Sequence, residues 1–329
     1  AGLPRPTVAD WTEVNRQVPR FVSVLPNGPT NHPTVRLFLA GGVPEVMLHL
    51  RELKMLDLSV LTVTGQPLGK VLEWWEKSER RQQVRAILKE RDGVEPEEVI
   101  MPPKVARQRG LTSTVCFPVG NLCPEGAVIK ATSIDPAVVD ADGVYRKLGP
   151  ARVFTSERAA IAAIKSHGPD AVKPGDILCL IGRGPMGSGM EETYQLTSAL
   201  KFLKWGREVA VVTDARFSGV STGACIGHIG PEALAGGPVG KLRDGDRVQI
   251  VIDRNKLVGS VDFVGEGDKT FSPAEGAKVL AARQPHPELH PDKDLPDDTR
   301  LWAALQRVGG GTWGGCVYDV EKIVEKLQK

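Results

Sequence analysis

The sequence predicts an α+β protein: a C-terminal domain with a β-barrel-like core and flanking helices, preceded by a mainly helical segment. Three observations carry this. From residue 112 onward, short apolar runs recur between tight turns rich in glycine, aspartate and proline. Two of those runs, 177–181 and 209–212, each empty into a glycine-rich loop. Before residue 110 the chain instead shows charged stretches of helical character.

Taken in order, residues 1–35 carry Pro19, Pro26, Pro29 and Pro33 and read as irregular chain around a short helix at 10–17. Ala40-Gly-Gly-Val-Pro-Glu-Val-Met47 is a turn entering a helix at Pro44, since proline suits the first helical turn, and the pattern runs to about Lys54. A single charged helix is expected over 71–91, with Trp74 and Trp75 packed inward or at an interface. Pro102-Pro103 and the basic run after it read as a linker, which divides the chain into 1–110 and 111–329. Strands follow at 114–117 and 127–130. Ser156 is a good N-cap for a helix over 158–165. Residues 247–253 and 256–263 form a hairpin, and 284–299 wrap the surface. Terminal helices are expected at 302–308 and 319–328, separated by a glycine cluster at 309–315.

Composition excludes more than it assigns. The chain has 329 residues, and 42 basic against 40 acidic side chains give a net charge of +2, with no basic stripe for nucleic acid or a membrane surface. No apolar run approaches the ~20 residues of a membrane helix, and no secretory signal is visible, so a cytoplasmic protein is expected. Cys116, Cys123, Cys179, Cys225 and Cys316 are scattered, which fits neither a disulfide framework nor a closely spaced cluster motif. Cys179 reads as a small buried hydrophobe.

The chain is organised around residues 182–232. Between the two loops, Leu196, Ala199, Leu200 and Leu203 fall at i, i+3, i+4 and i+7, one face of a helix. Glu191 and Glu192 are expected at its start, where the helix dipole favours the ionised carboxylate. Glycine loops let the backbone approach a ligand and offer unpaired N–H groups to an anion. A carboxylate beside such a loop suits a hard divalent cation bridging to an acidic substrate. These features alone leave open that the glutamates only cap the helix and the glycines only turn the chain.

Longer stretches narrow the reading. Gly189-Met-Glu-Glu192 with Thr197-Ser-Ala-Leu200 resembles the iron–sulfur sugar-acid and dihydroxy-acid dehydratases. Thr213-Asp-Ala-Arg-Phe-Ser-Gly219, Gly227-His-Ile-Gly-Pro-Glu-Ala233 and Gly236-Gly-Pro-Val-Gly-Lys-Leu-Arg-Asp-Gly-Asp246 resemble the same family in the same order. The wording Met-Glu-Glu-Thr-Tyr-Gln is most similar to its D-xylonate branch. The resemblance implies a swivelling β/β/α domain at the C-terminus, behind the helical end of an incomplete N-terminal domain. It implies removal of water from an aldonate to give a 2-keto-3-deoxy acid, in a homo-oligomer that needs an iron–sulfur cluster and Mg2+ or a similar cation. The family's cluster cysteines, an aspartate, a glutamate and a modified lysine lie upstream of Ala-Gly-Gly-Val-Pro, so those ligands are expected outside this chain. The chain is therefore expected to be a fragment, or to work with a second polypeptide, and to be inactive alone.

By the same resemblance, Glu192 is the metal ligand and Ser218 the proton acceptor. Serine is a weak base unless its alkoxide is stabilised. Arg216, Thr222 and His228 either contact the substrate or hold the loop. Val220 and Ser221 stand where some relatives have glycine and threonine. Two other readings stay open: an anion-binding swivelling domain without catalysis, and a dihydroxy-acid dehydratase of branched-chain amino-acid synthesis.

Overall fold

Alternation of side chains along a few short strands builds the main sheet. In the computed structural model, which describes residues 4, 6–30, 32–189, 191–309 and 311–328, the strands are β1 Val115–Cys116, β2 Gly126–Lys130, β3 Val144–Phe154, β4 Ile177–Leu180, β5 Glu192–Thr193, β6 Ala210–Thr213, β7 Arg216–Phe217, β8 Cys225–Gly230, β9 Arg247–Asp253, β10 Val258–Glu266 and β11 Lys269–Thr270. Among the described residues nine of them form one sheet in the order β1-β2-β8-β6-β4-β3-β9-β10-β11, while β5 and β7 form a separate pair.

The apolar runs are continuous because their strands are covered on both faces. Ile177, Cys179, Ala210, Val212 and Ile226 enter one core cluster, and Leu178, Leu180, Val211 and Cys225 enter another. The second is covered by the helices Glu157–Lys165 and Gln195–Lys201, through Ala160, Ile164, Leu196 and Leu200. The first lies inside the curl of the sheet with Phe263, Ile129 and Ile250. The loop after β1 reaches β10 there: Val119 N–H donates to the Gly259 carbonyl at 3.0 Å and Leu122 N–H to that of Val261 at 3.2 Å. Asn121 continues this pairing, exchanging hydrogen bonds with the main chain of Phe263 at 2.9 and 2.7 Å.

The α+β expectation needs amending, because β3, β4, β6 and β8 run parallel, giving a mixed α/β sheet. β3 itself was not foreseen, since Gly149-Pro150 interrupts its sequence. Proline is tolerated because the partner changes there. Val144–Pro150 pairs antiparallel with β9, and Ala151–Phe154 pairs parallel with β4. Ser156 caps the Glu157–Lys165 helix by accepting from Ala159 N–H, and the β9–β10 hairpin is present.

Residues Ala9–Thr114 form a compact unit of their own, as does the chain from Val115 onward. The helix expected over 71–91 is two, Leu68–Lys77 and Glu79–Asp92, because extended Ser78 breaks the first and caps the second by accepting from Arg81 N–H. Trp75 is buried and Trp74 exposed. The expected linker contains a helix, Pro103–Gln108, started by its proline and anchored by buried Ala106. Buried Glu45 follows the Ala-Gly-Gly-Val-Pro turn and takes a two-pronged bond from Arg81, both contacts 2.7 Å. Burial pushes its carboxyl up, but Arg81 and Arg85 more than offset this and hold it below the usual range. The C-terminal helices are Asp297–Gln306 and Val320–Leu327, the first starting earlier than expected.

Candidate active site

The site grows from the carboxyl ends of β4 and β6, where two neighbouring parallel strands release the two glycine loops. In open parallel sheets this end is where ligands collect. The first loop runs through a short turn of helix, Pro185–Ser188, which Gly189 ends at φ +69°. Met190, part of the motif read from the sequence, lies outside the described residues. The chain then runs extended, so Glu191 and Glu192 are not at a helix start: Glu192–Thr193 is β5, and the helix begins at Gln195. Leu203 falls beyond its last residue, Lys201, yet still packs against the same core.

β5 pairs parallel with β7, in register Glu192↔Arg216 and Thr193↔Phe217. One residue on, Ser218 N–H donates to the Thr193 carbonyl at 3.2 Å. This two-stranded ribbon therefore brings Glu192, Arg216 and Ser218 together. Glu192 is exposed, and its carboxylate meets no hydrogen-bonding or ionic partner among the described residues. Its neighbour Glu191 is instead tied to Arg183, which also binds Asp292. Ser218 is half-buried, and among the described residues its hydroxyl accepts only from Val220 N–H, at 3.4 Å.

His228 sits on β8 in the left-handed region at φ +55°, with its ring edge-on to Phe217 at 5.4 Å. Its carbonyl accepts from Trp313 Nε1 at 2.9 Å. Burial, and secondarily Arg216, push its pKa down to about 4. A neutral imidazole of that acidity is a weak proton acceptor. With Arg216, Arg183 and Asp214 it lines a cavity of about 10 Å³, into which Thr312 also faces. His228 Nδ1 and Thr312 Oγ1 are buried there without a partner among the described residues. That space matches about one water. Thr222 lines a different, open cavity of about 390 Å³ with Ser133, Lys201 and Arg207.

Sequence reading passed over three residues that shape these loops. Buried Asp214 accepts from the N–H groups of Gly182 (3.1 Å), Arg183 (2.9 Å) and Ala233 (2.9 Å). Burial raises its pKa against those bonds. Glu232 Oε2 accepts from Met186 N–H at 2.9 Å, its Oε1 is buried without a partner among the described residues, and burial pushes its pKa up to about 8. A Cβ on Gly184 would lie 2.4 Å from Glu232 Oε2, so glycine is needed for the close approach. Gly187, Ser188 and Gly189 donate within the loop. The N–H groups of Gly182, Arg183, Met186, Gly187, Ser188 and Gly189, expected to await an anion, thus point at protein acceptors. The third residue is Lys130, at the end of β2, whose ammonium contacts carbonyls of the Ser218 loop. Its one signal was a charge closing an apolar strand.

Among the described residues no three His, Cys, Asp or Glu side chains gather to hold a metal. The cysteines do not fit an iron–sulfur cluster. Cys116, Cys123 and Cys179 are in the inner core and Cys225 is in the outer one. Burial pushes the Cys123 and Cys225 thiols up to about 12, whereas a cluster needs thiolates. Glu192 presents an exposed carboxylate, around which the described residues gather no cluster of three such ligands. No helix among the described residues is long and apolar enough to cross a membrane.

Comparison with known proteins agrees with the motifs. Residues 99–284 match the family model for the dihydroxy-acid/6-phosphogluconate dehydratase C-terminal region, and residues 5–71 match the N-terminal one. The chain is 63% identical over 327 residues to the D-xylonate dehydratase YagF of Escherichia coli K12, covering 99% of this chain and 50% of that protein. It is 58% identical over 330 residues to YjhG, a D-xylonate dehydratase of the same organism, covering 100% and 50%. A dihydroxy-acid dehydratase of Solidesulfovibrio magneticus is 37% identical over 263 residues, covering 80% and 42%. The chain spans about half the length of the curated relatives it matches.

Proposed function

The chain belongs to the dihydroxy-acid/6-phosphogluconate dehydratase family, and from that membership we propose that it supplies one half of a sugar-acid dehydratase active site. The reaction removes water from an aldonate of the D-xylonate type to give a 2-keto-3-deoxy acid. The substrate class rests on the greater identity to the two D-xylonate dehydratases than to the dihydroxy-acid dehydratases. The observation that carries the proposal is the β5–β7 pairing, which sets the one unpartnered carboxylate of the ribbon beside the loop of Ser218.

In this reading Ser218 Oγ, ionised beside the cation that Glu192 would hold, takes the C2 proton and becomes a hydroxyl. It then passes that proton to the hydroxide leaving C3, which departs as water. Ser218 is half-buried and its hydroxyl almost free of internal hydrogen bonds, as a base needs to be when it must reach a substrate proton. Glu192 would hold a divalent cation. Such a cation, when bound, acidifies the C2 proton by drawing charge from the substrate's carboxylate and C2 oxygen. Arg216, paired in register with Glu192, supplies a guanidinium for the substrate carboxylate. His228 stays neutral and holds the floor of the site through its ring contact with Phe217, while Thr222 borders the loop from its other side. The cysteines of this chain do not fit an iron–sulfur cluster, so the ligands of one would come from the family's N-terminal portion. The sheet corresponds to the swivelling β/β/α domain, in a cytoplasmic homo-oligomer.

The anion-binding alternative loses its main support, because Asp214 and Glu232 occupy the N–H groups of Gly182, Arg183 and Met186 in the first loop. The test is turnover by this chain produced together with the family's N-terminal portion, with Mg2+ present. D-Xylonate should give a 2-keto-3-deoxy acid well ahead of a branched-chain 2,3-dihydroxy acid. The opposite preference, or no turnover of either, would contradict the proposal.

A further inference from the structure

Lys130 ends a strand whose alternate residues, Ala127 and Ile129, point into the inner core. It therefore projects from the opposite face, beside Cys225, where an apolar side chain would be ordinary. Lys130 is 8% exposed, and no carboxylate pairs with it among the described residues. Its Nζ donates to the carbonyl oxygens of Gly219 at 2.5 Å and Ser221 at 2.7 Å, with that of Ser218 at 3.5 Å. The Phe217 ring lies 5.8 Å from the same nitrogen. Three residues on, Ser133 Oγ meets the Gly223 carbonyl at 3.0 Å, and Gly223 N–H donates back to the Ser133 carbonyl at 3.1 Å. The segment 130–133 thus grips the loop 218–223 at both ends.

Burying an ammonium is costly unless its three donors are satisfied, and a hydrophobic residue of similar volume is often no worse for stability. Here the cost is offset by main-chain oxygens of one glycine loop and by the Phe217 ring. We propose that Lys130 is a positioning residue for the dehydration, its ammonium fixing the 218–221 loop so that the Ser218 hydroxyl is held at one place beside Glu192. The catalytic part of this rests on Ser218 being the base; the grip on the loop does not.

Two readouts separate those parts. The first is amide hydrogen exchange in the 329-residue chain. Lys130→Met should speed exchange at Ser218, Val220 and Ser221 by about ten-fold or more, leaving the amides of β4 and β6 unchanged. Lys130→Arg, which keeps the charge, should lose less. Unchanged exchange in a folded Lys130→Met chain would overturn the grip. If that variant does not fold, amine labelling of the unaltered chain decides. Lys130 should be among the last lysines to react, and labelling as fast as at exposed Lys269 would overturn the proposal. The second readout is turnover with the N-terminal portion supplied. Misplacement of a reacting group costs about 10–100-fold, so Lys130→Met should lower kcat by that factor with KM nearly unchanged and Lys130→Arg should recover part of it. Loosened exchange with full turnover would overturn the catalytic part, and Ser218→Ala with full activity would instead remove Ser218 from the reading.

Discussion

Ser218 donates its main-chain N–H to the carbonyl oxygen of Thr193 at 3.2 Å, extending a ribbon in which Glu192 and Arg216 are already in register. Two segments separated by more than twenty residues of chain are thereby locked together. Glu192 and Ser218 are brought onto one ribbon, and the Lys130 ammonium holds the loop that follows it.

The two glutamates of that segment should behave differently. Glu191 is tied to Arg183, whereas Glu192 is exposed and unpartnered among the described residues. With the N-terminal portion present, Glu192→Gln should weaken Mg2+ binding by about ten-fold or more, as loss of one charged ligand does, and Glu191→Gln only slightly. Isothermal titration with Mg2+ checks this, and equal effects would remove Glu192 as the ligand.

The cysteines should not assemble a cluster. Four of the five are buried, divided between the two faces of the sheet. Anaerobic treatment of the chain with iron and sulfide should leave no stable visible absorption. A persistent brown species would contradict the assignment.

Much of this was legible in sequence because it follows from local rules. The two apolar runs became β4 and β6, Ser156 became a cap, and the motif order placed the loops. What escaped depended on partners distant in the chain. β3 was hidden by Gly149-Pro150, whose tolerance comes from the exchange of β9 for β4 as neighbour. The extended course of Glu192 is set by pairing with Arg216, which no helical periodicity reveals. Lys130, Asp214 and Glu232 stood in plain view, but their roles arise from carbonyl and amide groups on other loops.

Glu232 gives the fold a pH dependence. Its folded pKa, about 8, lies above the ordinary 4.5, so between those values the folded protein keeps a proton the unfolded chain has released. Stability from this group is complete below the lower value and is lost as pH rises through the higher, by at most about 1.4 kcal/mol per pH unit. His228 has the opposite sign, its contribution being lost as pH falls from 6.5 toward about 4. Melting temperatures from pH 6.5 to 8.5 should therefore fall in the unaltered chain and fall less in Glu232→Gln. Parallel curves would show that Glu232 is not the titrating group.

The most direct measurement is C2 proton exchange on the aldonate in deuterated water, with Ser218→Ala in the assembly that turns over. If Ser218 takes that proton, the variant should bind Mg2+ and substrate with near-normal KM yet lose about 10²–10⁴-fold in kcat, and C2 should neither exchange nor dehydrate. Near-normal exchange and turnover in a well-folded Ser218→Ala protein would contradict the account, and the low pKa of His228 would leave that residue a poor substitute.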